Sequence, residues 1–139
     1  MRYLVHHTKD FDGTHFVEIG PGKYSGKHWQ KGFLFVDDED FTAAEGLIRK
    51  HLSKYDHYAM NDVTTDTAFD VIAEWRKAAK ELVFRKRAAF EILSLQFVSD
   101  SYKKDLENER LNVSNMLIEL ADSCEKFVHG KSCFCILGV

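Results

Sequence analysis

Ser132-Cys133-Phe134-Cys135-Ile136-Leu137-Gly138-Val139 is a short apolar run of strand-like composition that follows Gly130 and a long helical stretch. Its reading decides the fold. Joined to the strands expected near the beginning of the sequence, it makes a small, mostly antiparallel sheet with the intervening helices laid against it, an α+β architecture. Working backwards, Leu106, Val113, Leu120 and Phe127 recur every seven residues with Leu117 and Cys124 between them. That is the packing stripe of a helix starting at Asp100-Ser101 and ending at Gly130. Ala88 to Val98 is apolar on nearly all sides, as in a centrally buried helix. Before it, Phe69, Ile72, Trp75 or Arg76, and Ala79 follow an N-cap at Thr65 or Thr67, in a helix that either runs on or breaks near Glu81 to Lys86.

Asp37, Asp38, Glu39 and Asp40 precede Phe41, Ala44, Ile48, Leu52 and Tyr55 at helical spacing. Carboxylates suit the positive end of a helix dipole, so the pattern predicts a helix from about Asp38 to Tyr55, followed by a polar connection from Asp56 to Thr65. The first part of the chain reads as strands. Arg2 to Thr8 is bounded by the turn-like Lys9-Asp10-Phe11-Asp12-Gly13, which predicts a hairpin with Thr14 to Ile19. Alternation there places His15, Val17 and Ile19 on one face and Phe16 and Glu18 on the other. Gly20-Pro21-Gly22-Lys23-Tyr24-Ser25-Gly26 breaks that strand, and Lys31 to Val36 supplies a third. The expectation is one α+β domain over residues 1–139: an N-terminal three-stranded meander plus a C-terminal strand, packed against three or four helices.

Composition narrows the function classes. A chain of 139 residues with 45% hydrophobic positions and eleven Phe has too much apolar content for intrinsic disorder. The early apolar stretch Tyr3-Leu4-Val5 is interrupted by His6, His7, Lys9 and Asp10, which is no signal-peptide core. Leu82 to Val98 contains Arg85, Lys86, Arg87, Glu91 and Gln96 and does not read as a membrane span. The three cysteines, Cys124, Cys133 and Cys135, read as reduced thiols, which predicts a cytoplasmic location.

No motif assigns a catalytic activity: nucleophile elbow, metalloprotease helix, dinucleotide fingerprint and EF-hand loop are all missing. Gly22-Lys23-Tyr24-Ser25-Gly26-Lys27-His28 has three residues between its glycines and His28 where a phosphate-binding loop needs a hydroxyl residue. A simpler anion site formed by Lys23, Lys27, His28 and Lys31 is the ligand-binding alternative. His7 and His15 flank Asp10 and Asp12, and Cys124, His129, Cys133 and Cys135 have zinc-ligand chemistry. Neither spacing is diagnostic, Cys124 belongs to an apolar helical stripe, and no metal or other cofactor is expected.

Charge is the best functional signal. Net charge is −3, but residues 1–36 carry five basic and three acidic side chains (+2), residues 37–70 three and nine (−6), and residues 71–139 eleven and ten (+1). A concentrated acidic surface steers a basic protein partner. The residues that would form it are Asp37, Asp38, Glu39, Asp40, Asp56 and Asp62, with Tyr55, Tyr58 and Trp29 as aromatic anchors. The expected function is that of a protein-binding inhibitor, of the immunity-protein or antitoxin kind, which neutralises a toxin or nuclease through its basic surface. The alternatives are a small-ligand or nucleotide-binding protein using the Gly20–Lys31 loop, and a small hydrolase. Arg76, Lys77, Lys80, Arg85, Lys86 and Arg87 place six cations within twelve residues. A helix spreads them around its circumference, which argues against direct nucleic-acid binding.

Overall fold

The computed structural model describes residues 2–8, 15–28 and 30–138. The Lys9 to Gly13 turn, with Asp10 and Asp12, and Trp29 lie outside the described residues. Five strands form one antiparallel sheet: β1 (Val5–His6), β2 (Phe16–Pro21), β3 (Leu34–Asp37), β4 (Met60–Thr64) and β5 (Cys133–Leu137), in the order β1-β3-β2-β5-β4. Helices α1 (Asp38–Arg49), α2 (Thr65–Phe84), α3 (Ala89–Ile92), α4 (Asp100–Asn108) and α5 (Arg110–Lys131) complete the α+β fold.

The C-terminal strand does join the N-terminal ones, and it sits inside the sheet. Ile19 faces Ile136 across the β2–β5 pair, and Val63 faces Phe134 across the β5–β4 pair. This explains why every position of β5 is apolar and buried, since both of its faces are covered. Phe134 and Ile136 enter the main core with Val17, Ile19 and Val63, beneath Trp75 of α2 and Leu117, Leu120 and Cys124 of α5. Cys135 and Leu137 point the other way into a smaller cluster with Phe33 and Phe35. Gly20 makes that second layer possible, because a side chain there would collide with the Phe33 ring.

Several expected boundaries are corrected. β1 pairs with β3, Val5 opposite Val36, so the N-terminal hairpin is β2–β3 and the expected pairing of the first two strands does not form. Pro21 still belongs to β2, and β4 arises in what reads as a polar connection. Helix α1 stops at Arg49 rather than Tyr55. The apolar stretch Ala88 to Val98 is helical only over α3, because Ser94 and Phe97 adopt left-handed backbone conformations (φ 55° and 59°) that a helix cannot continue through. The last helical region is divided at Glu109, and α5 runs past Gly130 to a left-handed cap at Ser132.

Candidate functional site

Asp37, Asp38, Glu39 and Asp40 gather where β3 gives way to α1. Asp37 is the N-cap of α1, its carboxylate accepting from the Glu39 N–H at 3.0 Å and the Asp40 N–H at 3.4 Å. Asp40 is buried. It accepts from the Tyr3 N–H at 2.8 Å and pairs with Arg2 at 3.3 Å, and burial still raises its pKa. Tyr55 is buried as well, its hydroxyl donating to Glu45 Oε2 at 2.5 Å. Asp40 and Tyr55 therefore cannot belong to an exposed recognition surface, and that part of the expectation is corrected.

His57 closes the arrangement. Its Nδ1 lies 2.6 Å from Glu45 Oε2 and its Nε2 meets Asp38 Oδ1, so one imidazole bridges two carboxylates two turns apart on α1. Burial by itself would lower the His57 pKa, but the hydrogen bonds and negative charges of Glu45 and Asp38 outweigh it and raise the pKa above its ordinary 6.5. A raised histidine pKa stabilises the fold while the imidazole is protonated, and that contribution is lost as pH climbs through the folded-state value. The urea midpoint should accordingly fall as the pH is raised above 6.5. His57→Gln should flatten this part of the profile, and an unchanged slope in that variant would remove His57 as its source.

The connection before β4 is held by its own side chains. Asp56 N–H donates to Asn61 Oδ1 at 3.0 Å, the Asn61 amide donates back to the Asp56 carbonyl at 2.8 Å, and the Tyr58 N–H donates to Asp56 Oδ1 at 2.8 Å. Gly138 donates to the Ala59 carbonyl at 2.9 Å. A side chain at Gly138 would collide with the His57 carbonyl, so this close approach requires glycine. The outcome is a fixed turn that holds Tyr58 outward, 75% exposed, its ring edge-on to His57 with centroids 4.8 Å apart. Met60, 47% exposed, and the exposed Asp62 follow on one face of β4, which is an edge strand.

Of the residues expected to contact a partner, the outward-facing set is thus Glu39, Asp56, Tyr58 and Asp62. Asp37 and Asp38 serve the cap and the His57 clamp. Sequence reasoning missed His57, Arg2 and Met60. The available signal for His57 was its position between Asp56 and Tyr58, a titratable base inside a segment of net charge −6.

The glycine-rich loop lies over the face of the sheet that carries Glu18 and Asp62. His28 Nδ1 is 2.9 Å from Glu18 Oε1, the Tyr24 hydroxyl is 3.1 Å from His28 Nε2, and Asp62 accepts from the Tyr24 N–H at 2.9 Å. Lys23, Lys27 and Lys31 are exposed, whereas His28 is half-buried and turned towards Glu18. These contacts fasten the loop to the sheet and bring two carboxylates beneath it.

His7 and His15 are exposed and belong to segments that are not paired with each other. Cys124 is buried in the main core, Cys135 lies in the second cluster, and His129 is exposed. Burial raises the pKa of all three thiols, Cys135 to about 11. Among the described residues no three His, Cys, Asp or Glu side chains come together as metal ligands, and no helix is long and apolar enough to cross a membrane. The chain matches no known protein-family model, and no curated protein or solved structure is significantly similar to it.

Proposed function

We propose that this chain is a protein-binding inhibitor, an immunity protein or antitoxin that neutralises a cognate toxin by covering a basic surface. The observation that carries this reading is Tyr58. A tyrosine held by a self-bonded turn, largely exposed beside Met60 and between Asp56 and Asp62, has the chemistry of an interface anchor whose ordering cost has already been met. The surrounding carboxylates supply long-range attraction to a cationic partner. The alternative of an anion-binding Gly20–Lys31 loop has less support, because His28 is engaged with Glu18 and Asp62 places negative charge beside Tyr24.

The test is co-expression with the polypeptide encoded by the adjoining reading frame, followed by binding measured at two salt concentrations. The expected result is protection of the host and a salt-sensitive complex. Tyr58→Ala should weaken that complex by about tenfold or more, and Glu39→Lys should slow association. Both side chains are exposed, so neither change should unfold the protein. Reversal at Asp37, Asp38 or Asp40 would break the cap, the clamp or the Arg2 pair and would not separate recognition from folding. Protection by the Tyr58→Ala and Glu39→Lys variants equal to that of the unaltered protein would remove this surface as the recognition element. Absence of any protein complex would overturn the inhibitor reading itself.

A further inference from the structure

Of the six cations between Arg76 and Arg87, Arg76 and Lys80 line an apolar face that neither the core nor the acidic end of the sheet uses, while Lys77 and Arg87 lie at a different cleft with Glu74 and Glu81. Helices α2 and α5 run antiparallel, with Arg76 bonded to Asp122 at 3.0 Å, Ser114 Oγ donating to the Ala79 carbonyl at 2.8 Å, and Arg110 donating to the Leu82 carbonyl at 3.0 Å. The small residues Ala79 and Ser114 let the helices approach closely and leave a shallow groove of about 350 Å³ between them. Its walls are Val83, Phe84 and Ile118, which are 52%, 60% and 42% exposed.

Three large apolar side chains exposed together on two adjacent helices form the kind of patch that marks an interaction site. The local charge is positive. Arg76 is neutralised by Asp122 and Glu125, and Arg87 pairs with Glu81. Lys80 nevertheless lines the groove, and the Lys86 ammonium lies 5.8 Å from the Phe84 ring centre. A groove between two packed helices is complementary to the ridge of a third helix.

We propose that the α2–α5 face is a second docking surface, one that seats an amphipathic helix of a partner protein with apolar side chains on one side and carboxylates flanking them. It is independent of the acidic end of the sheet and selects the opposite charge.

The probe is a synthetic helix of about 18 residues with leucines at three- and four-residue spacing and glutamates on either side, compared with a version in which lysines replace the glutamates. Fluorescence anisotropy with the full chain should show saturable binding of the glutamate peptide and binding about tenfold weaker for the lysine peptide. The double substitution Val83→Ser with Ile118→Ser, and separately Lys80→Glu, should each weaken the glutamate peptide by about tenfold while the urea midpoint stays within error. No binding, or equal binding of the two peptides, would overturn the proposal. So would concentration-dependent dimerisation, or adsorption to phosphatidylserine vesicles, that the serine pair abolishes; those results would assign the face to a second copy or to a membrane surface.

Discussion

Trp75→Ala should destabilise the protein by about 3–5 kcal/mol, enough to lower the thermal midpoint by about 10 °C or more. Trp75 is fully buried, its ring packs beside Phe134 of β5 with centroids 6.2 Å apart, and its indole N–H donates to the Ala44 carbonyl of α1 at 3.1 Å. One side chain therefore joins α2, the interior strand and the helix that carries the His57 clamp. Truncation opens a cavity at the centre of that junction and leaves the surrounding rings without contacts. Trp75→Phe keeps much of the volume and should cost about 1–2 kcal/mol, the difference reporting cavity against hydrogen bond. Urea unfolding followed by circular dichroism makes the comparison, because the change removes one of the two tryptophans. A loss below about 1 kcal/mol for alanine would mean that the core collapses around the site. Because Asp38 and Glu45 belong to α1, Trp75→Ala should also soften the Tyr58 surface, whereas Trp75→Phe should not.

The parts of this fold that were legible are those where burial leaves a mark on residue type. The Cys133–Leu137 run is apolar at every position because β5 is covered on both faces, and Val17 and Ile19 alternate with Phe16 and Glu18 because β2 has two different faces. Strand β4 was not legible. As an edge strand it buries only Asn61 and Val63, so Met60-Asn61-Asp62-Val63-Thr64 reads as a polar connection. The break at Arg85 falls within the Glu81 to Lys86 stretch where the sequence left one open, but those at Ser94 and Phe97 were hidden for another reason: these residues take left-handed conformations that usually announce themselves with glycine or asparagine. The candidate site was half visible. Local counting finds the excess of carboxylates in residues 37–70, but their neutralisation comes from Arg2 at one side and from His57 across the connection. Such pairings are long-range in sequence and leave no periodic trace, so Asp40 reads as surface while the fold buries it.

Arg110 shows the same limit at the other end of α2, and its removal should cost about 3 kcal/mol. The last turn of α2 has no basic residue of its own to meet its final carbonyls. Arg110 reaches in from α5 instead, donating to the Leu82 carbonyl at 3.0 Å, to the Arg87 carbonyl at 2.8 Å and through Nε to Glu107 Oε2 at 2.6 Å. Glu107 in turn accepts from the Ala89 N–H, so a single guanidinium organises the end of α2, the start of α3 and the end of α4. In Arg110→Ala the Leu82 and Arg87 carbonyls lose a charged donor inside the protein, where no other side chain replaces it. Arg110→Lys keeps the charge but not the planar fork and should recover less than half of the loss; Arg110→Met restores volume without donors and should recover least.

Chiefly through its bond to Arg110, the Glu107 carboxyl titrates below its ordinary 4.5, so this contribution is present above 4.5 and disappears as the pH falls through the lower folded-state value. The gap between wild type and Arg110→Ala in urea midpoint should therefore narrow in acid. A gap independent of pH would place the whole effect on the two carbonyls. Because Arg110 holds the Leu82 carbonyl and Leu82 immediately precedes Val83 and Phe84, Arg110→Ala should lose stability and helical-peptide binding together. The Val83→Ser and Ile118→Ser pair should lose binding alone, which separates the groove as a surface from the bond that shapes it.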